Sequence, residues 1–112
     1  MSLFAEIDKL NKLDTRFNPI ERKMLKLSEE HGELAEAILV HQDHKLSREE
    51  TDKEASRMHI LEEAVDSTIM CYSIIAAEGF TEEEFDMMMV KKLAKWQGGI
   101  KERNAKNAAQ AV

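Results

Sequence analysis

Two pairs of acidic residues carry the chemistry that this chain's residue types allow: Glu30 with Glu33, and Glu63 with Asp66. Residues three apart on a helix lie on the same side, so each pair can offer its carboxylates to one ion. Glu63 and Asp66 lie on a helical stripe that continues into Met70 and Ile74. Acids at the mouth of a buried helix repel one another and lose hydration, so something positive should compensate. Carboxylates from two facing helices suit Mg²⁺, a hard cation that prefers oxygen, keeps waters and bridges phosphates; Mn²⁺ can substitute. Zinc fits poorly, because no His or Cys joins the set. One such pair is ordinary in a chain with 22 Asp and Glu, where acidic helix faces are solvated. Two pairs on successive long helices are less ordinary.

The elements that must position these acids are helices. Ser2 caps a first helix over roughly residues 3–12. Asn18-Pro19-Ile20-Glu21 has the cap, first-turn proline and acid of a second helix start, which should run over about 19–41. The charged stretch 42–57 reads as a loop followed by a solvated helical run, with Ser47–Glu50 as a second capping box. A third helix spans about Met58–Glu78 and stops at Gly79; a fourth opens at Thr81 and runs to about Gln97, where Gly98-Gly99 ends it. The domain is therefore expected over residues 1–103, with 104–112 as a flexible tail.

Wheel positions at 100° per residue put Ile20, Met24, Leu27, His31, Leu34, Ala35 and Ile38 on one stripe, expected to face the core. Lys26, Glu30, Glu33 and Ala37 form the stripe beside it. The third helix is apolar almost all round from Leu61 onward and is expected to be mostly buried. His31 reads as a core or interface histidine, and His41, His44 and His59 as surface or loop-edge residues. Met87–Met89 and Phe85 read as packing, and Cys71 as a buried small apolar residue.

Composition narrows the function classes. The 112 residues suffice for one domain, and such a small domain gains from self-association. The net charge of −6 argues against nucleic acid, although residues 90–112 hold 6 of the 16 Lys and Arg against 1 acid. A lone cysteine makes no internal disulfide and no thiolate metal site. The amino terminus lacks the basic and apolar regions of a signal peptide. The longest apolar stretch, Thr68–Ala77, falls well short of the roughly 20 residues that span a bilayer. A cytoplasmic protein with no membrane partner is expected.

The segments KLSEEHGELAEAI (26–38) and LEEAVDSTIM (61–70) resemble the MazG-like all-α nucleoside triphosphate pyrophosphohydrolases, whose signature is ExxE on one helix and ExxD on the next. The resemblance covers about residues 17–97; the 29 residues between the pairs lie at the long end for that family. It implies an all-α bundle of about four helices per chain, completed by assembly into a homodimer or homotetramer. It implies Mg²⁺ on Glu30, Glu33, Glu63 and Asp66, and hydrolysis of a nucleoside triphosphate to monophosphate and pyrophosphate. Basic residues in the pattern KLxKW carry over to Lys92 and Lys95, with Lys91 beside them, as phosphate contacts. Lys26, one turn before Glu30, is a further partner for phosphate or for Glu30 itself. Two alternatives remain: a phosphoribosyl-ATP pyrophosphohydrolase-like enzyme, though its Tyr-Thr motif is lacking here, and a non-catalytic helical interaction module.

Overall fold

The computed structural model describes residues 2–14, 20–44 and 50–111. They form four helices, α1 (Leu3–Leu13), α2 (Ile20–His44), α3 (Glu50–Ala77) and α4 (Glu82–Gln110), and no strand among the described residues. The expected all-helical class is borne out. The chain divides into two compact units, Met1–Gly79 with α1 to α3 and Phe80–Val112 with α4.

Several helix ends follow local chemistry. Ser2 Oγ accepts the Ala5 N–H at 3.1 Å and caps α1. Beyond α3, Gly79 takes φ +82°, a left-handed conformation that costs a side-chain-bearing residue energy and glycine little. Thr81 then opens α4 with a full capping box: its Oγ1 accepts the Glu84 N–H at 3.1 Å, and its own N–H donates to Glu84 Oε1 at 3.1 Å. The expected starts at Asn18-Pro19 and Ser47–Glu50 lie outside the described residues, except that α3 is already helical at Glu50, well before Met58.

The fourth helix corrects the expected stop at Gly98-Gly99. α4 runs through both glycines to Gln110, and neither has a positive φ. Each glycine costs a helix about 1 kcal/mol relative to alanine, which the strong helix formers Lys, Ala, Gln and Glu around them outweigh.

Within the first unit, α2 and α3 run antiparallel. Lys23 reaches Ser73, Glu33 reaches Glu63 and His41 reaches Ser56, so numbers rise along one helix as they fall along the other. Lys23, Glu30 and Ala37 are the buried residues of α2, each a heptad apart. Facing them on α3, Ser56, Glu63, Ser67, Ser73 and Ala76 are buried. Alanine and serine are small, so the backbones approach closely and longer charged side chains reach across. α1 covers one end of this pair: the Phe4 and Tyr72 rings lie 6.0 Å apart at 51°, and Asn11 Nδ2 donates to the Ser73 carbonyl at 3.0 Å.

This seam lies one residue, about 100°, round α2 from the apolar stripe expected to face the core. Met24 is 64% and Ile38 41% exposed, and His31 is exposed too. The same holds on α3, where Leu61, Val65 and Ile69 are exposed although burial almost all round was expected. Among the described residues only Phe4, Ala37 and Ala76 are buried hydrophobics. The first unit thus packs through a largely polar seam and turns apolar stripes outward.

Candidate metal centre

The middle of the α2–α3 seam gathers three of the four expected acids. Glu30, Glu33 and Glu63 each present a carboxylate oxygen within 4.8 Å of the others. Heptad spacing brings Glu30 into the seam, and Glu33, three residues on, shares its side. The antiparallel register sets Glu63 opposite Glu33. Glu30 and Glu63 are buried, at 6% and 7% exposure, and Glu33 is half-buried.

Each buried glutamate has one oxygen near a basic side chain and one without a hydrogen-bond partner among the described residues. Glu30 Oε1 lies 3.2 Å from Lys26 Nζ, and Glu63 Oε1 lies 3.8 Å from His59 Nε2. Glu30 Oε2 and Glu63 Oε2 are buried without a hydrogen-bond partner. A buried polar atom left unpartnered costs about 1–3 kcal/mol, more when charged. The hydrogen bond to Glu63, reinforced by the charge of Glu30, holds the Glu33 carboxyl above the usual carboxylate range. The chain alone therefore makes Glu33 hold its proton to a higher pH than an ordinary carboxylate does.

A divalent cation fits this donor set. Octahedral Mg²⁺ with oxygens at about 2.1 Å holds neighbouring ligand atoms about 3 Å apart and opposite ones about 4.2 Å apart. The three carboxylates meet that spacing with a small closure, and the orphaned oxygens supply lone pairs that no protein donor uses. An all-oxygen set suits hard cations such as Mg²⁺, Ca²⁺ and Mn²⁺ better than softer ones.

The other expected site residues fall as follows. Asp66 is half-buried one turn beyond Glu63 and stands outside the group of three; the antiparallel register sets it level with Glu30, and it has no hydrogen bond or ion pair among the described residues. Lys26 pairs with Glu30 and, at 3.5 Å, with Glu29. The hydrogen bond to Glu30, then the charge of Glu29, raises its pKa. Lys92 and Lys95, with Lys91, are exposed on α4 in the second unit.

Sequence reasoning missed three polar contacts along the seam. Lys23, only 5% exposed, donates to Ser73 Oγ at 2.7 Å and Asn11 Oδ1 at 3.2 Å. His41 Nδ1 lies 2.7 Å from the buried Ser56 Oγ, so His41 is half-buried, and His44 keeps a buried Nδ1 with no partner among the described residues. His59 is half-exposed, as expected, but stands beside Glu63. The missed signal was the heptad 23-30-37-44, readable as an unbroken seven-residue spacing on one helix. Cys71 is half-buried rather than buried.

Comparison with family models, curated proteins and solved structures returns no match. Among the described residues no helix is long and apolar enough to cross a membrane.

Proposed function

We propose that this chain is a Mg²⁺-dependent hydrolase of nucleoside triphosphates, releasing pyrophosphate and a nucleoside monophosphate, and that it belongs with the MazG-like enzymes it resembles. The observation that carries the reading is the pair of buried, unpartnered carboxylate oxygens, Glu30 Oε2 and Glu63 Oε2, in a three-carboxylate cluster. Buried acids without donors are expensive, and a divalent cation is the ligand that repays such an arrangement.

Glu30, Glu33 and Glu63 would hold the cation. A cation held there would supply positive charge to offset the negative charge developing on the phosphates during phosphoryl transfer. Water adds to the α-phosphorus, the bond from that phosphorus to the oxygen of the β-phosphate breaks, and pyrophosphate leaves. Asp66, outside the cluster and without an ion pair, is free to take the proton from the attacking water at its carboxylate. Lys26 sits at the edge of the cluster and can shift from Glu30 to a phosphate as a point charge. Lys92 and Lys95 remain further candidates for the outer phosphates.

Self-association belongs to the same proposal. Met24, Ile38, Leu61, Val65 and Ile69 are 41–64% exposed in the first unit. Such apolar stripes on facing-out helix sides mark surfaces that another helix covers. A second copy in a homodimer or homotetramer is the occupant proposed.

The test incubates purified protein with ordinary nucleoside triphosphates and Mg²⁺ and follows pyrophosphate release, alongside thermal melting with and without Mg²⁺. Turnover and a divalent-dependent rise in melting temperature support the reading. A rise without turnover of any triphosphate removes the enzyme and leaves a cation-binding module. The absence of both turnover and a rise sinks the proposal whole.

A further inference from the structure

α4 carries an apolar stripe of its own. Met89, Leu93, Trp96 and Ile100 follow one another at steps of four, three and four, the spacing of a coiled-coil seam. At 100° per residue they fall within about 60° of the helix circumference. They are 42%, 50%, 64% and 38% exposed, and no residue of α4 is buried. Most helical stability in proteins comes from packing such a face, and α4 has two glycines in its interior to offset. The stripe is therefore a surface that another helix covers.

Charge selects the occupant. Residues 82–86 hold four acids and no base, whereas residues 91–110 hold six bases and one acid. Each end of α4 is thus complementary to the opposite end of a second α4 laid antiparallel, and repels the same end laid parallel. Nucleic acid or an anionic membrane, negative throughout, meets repulsion at the acidic end.

The same arrangement fixes a register. An antiparallel pair that lays Met89 against Ile100 and Leu93 against Trp96 of the second copy also brings Asp86 level with Arg103 of the second copy, because each lies three residues outside the stripe. Neither has an opposite charge three or four residues away on its own helix. Asp86 has Glu82 and Glu83 there, and Arg103 has Lys106, so each sits among like charges that the far end of a second copy relieves.

We propose that α4 pairs antiparallel with α4 of a second copy, Asp86 facing Arg103 at both ends of the seam. This pairing uses a different face from the α2 and α3 stripes described above, and it holds whether or not the chain hydrolyses nucleotides.

Trp96 is the only tryptophan of the chain and lies within the stripe, so its fluorescence reports on this face alone. The experiment follows Trp96 emission and sedimentation of the full chain across a concentration series. As a dimer forms, emission should move to shorter wavelength and acrylamide should quench it less. Asp86→Arg and Arg103→Asp should each raise the concentration of half-association about tenfold, and the double variant should return it to that of wild type. Both positions are exposed, so helix content by circular dichroism should stay unchanged. A parallel pair would set Asp86 against Asp86, where reversal exchanges one repulsion for another. Single reversals without effect, or a double variant no better than the singles, overturn the proposal. A dimer whose Trp96 still emits and quenches as an exposed side chain overturns it too, since the contact then lies on another face. So does a chain that stays monomeric at every concentration, including one whose Trp96 shifts only on adding phosphatidylserine vesicles.

Discussion

Two stretches of the α2–α3 seam bury charge in opposite ways. In the middle, Glu30 Oε2 and Glu63 Oε2 are buried with no hydrogen-bond partner among the described residues. Near α1, Lys23 holds a positive charge whose hydrogen-bond partners among the described residues are neutral oxygens. One stretch is short of a cation and the other of an anion or acceptor, yet they do not cancel, because a heptad of α2 separates them. The Lys23 end is closed by three side chains that answer one another, which makes it a structural element with donors to spare. The Glu30 end has no such closure, and that is where an outside ligand gains most.

The sharpest way to break this contrast is at the acids. Glu63→Gln should cost more than about a hundredfold in turnover, since even groups that merely support metal ligands cost 10–100-fold, and it should abolish the Mg²⁺-dependent rise in melting temperature. Asp66→Asn should keep that rise and lose about 10²–10⁴ in kcat, the range of a general base. If both substitutions behave alike, the division of labour between the cluster and Asp66 is wrong.

At the other end, Asn11→Leu removes an acceptor from the buried ammonium and should destabilise the fold by about 2–3 kcal/mol in denaturant titration. Lys23→Met leaves Asn11 and Ser73 bonded to each other and should cost less than about 1 kcal/mol. The order of the two reports whether neutral oxygens close this stretch.

Acidity gives a smaller, signed effect. The Glu33 pKa is raised in the folded chain by the Glu63 hydrogen bond. Its contribution is full below the ordinary carboxylate value and disappears as pH climbs through the raised one. Melting temperature in chelator should therefore fall as pH rises through that window, and Glu33→Gln should flatten the fall. The exposed Glu54–Arg57 pair has the opposite sign: Arg57 lowers the Glu54 pKa, so its contribution is lost as pH drops. Being solvated on both sides, it should be the least visible of all, with Glu54→Gln melting alongside wild type.

Much of the helical framework was legible, because caps and breakers act locally. Ser2, Gly79 and the Thr81–Glu84 box do in the structure what their types suggest. The face that α2 turns inward was not legible. A hydrophobic stripe points toward whatever covers it, and a sequence does not distinguish a partner within the chain from one outside it. Met24 and Ile38 were therefore assigned to a core from which they are excluded, while Lys23 and Glu30 occupy it. Acid spacing identified Glu30, Glu33 and Glu63 because three-residue steps are short enough to survive that error. Asn11, sixty-two residues from Ser73, joins the site only through folding.

Lys23 and Glu30 ride on one continuous helix, seven residues apart. At 1.5 Å per residue that fixes their levels about 10 Å from each other. α2 therefore acts as a ruler: a molecule long enough to touch both marks reports on both, and one much shorter can satisfy only one of them.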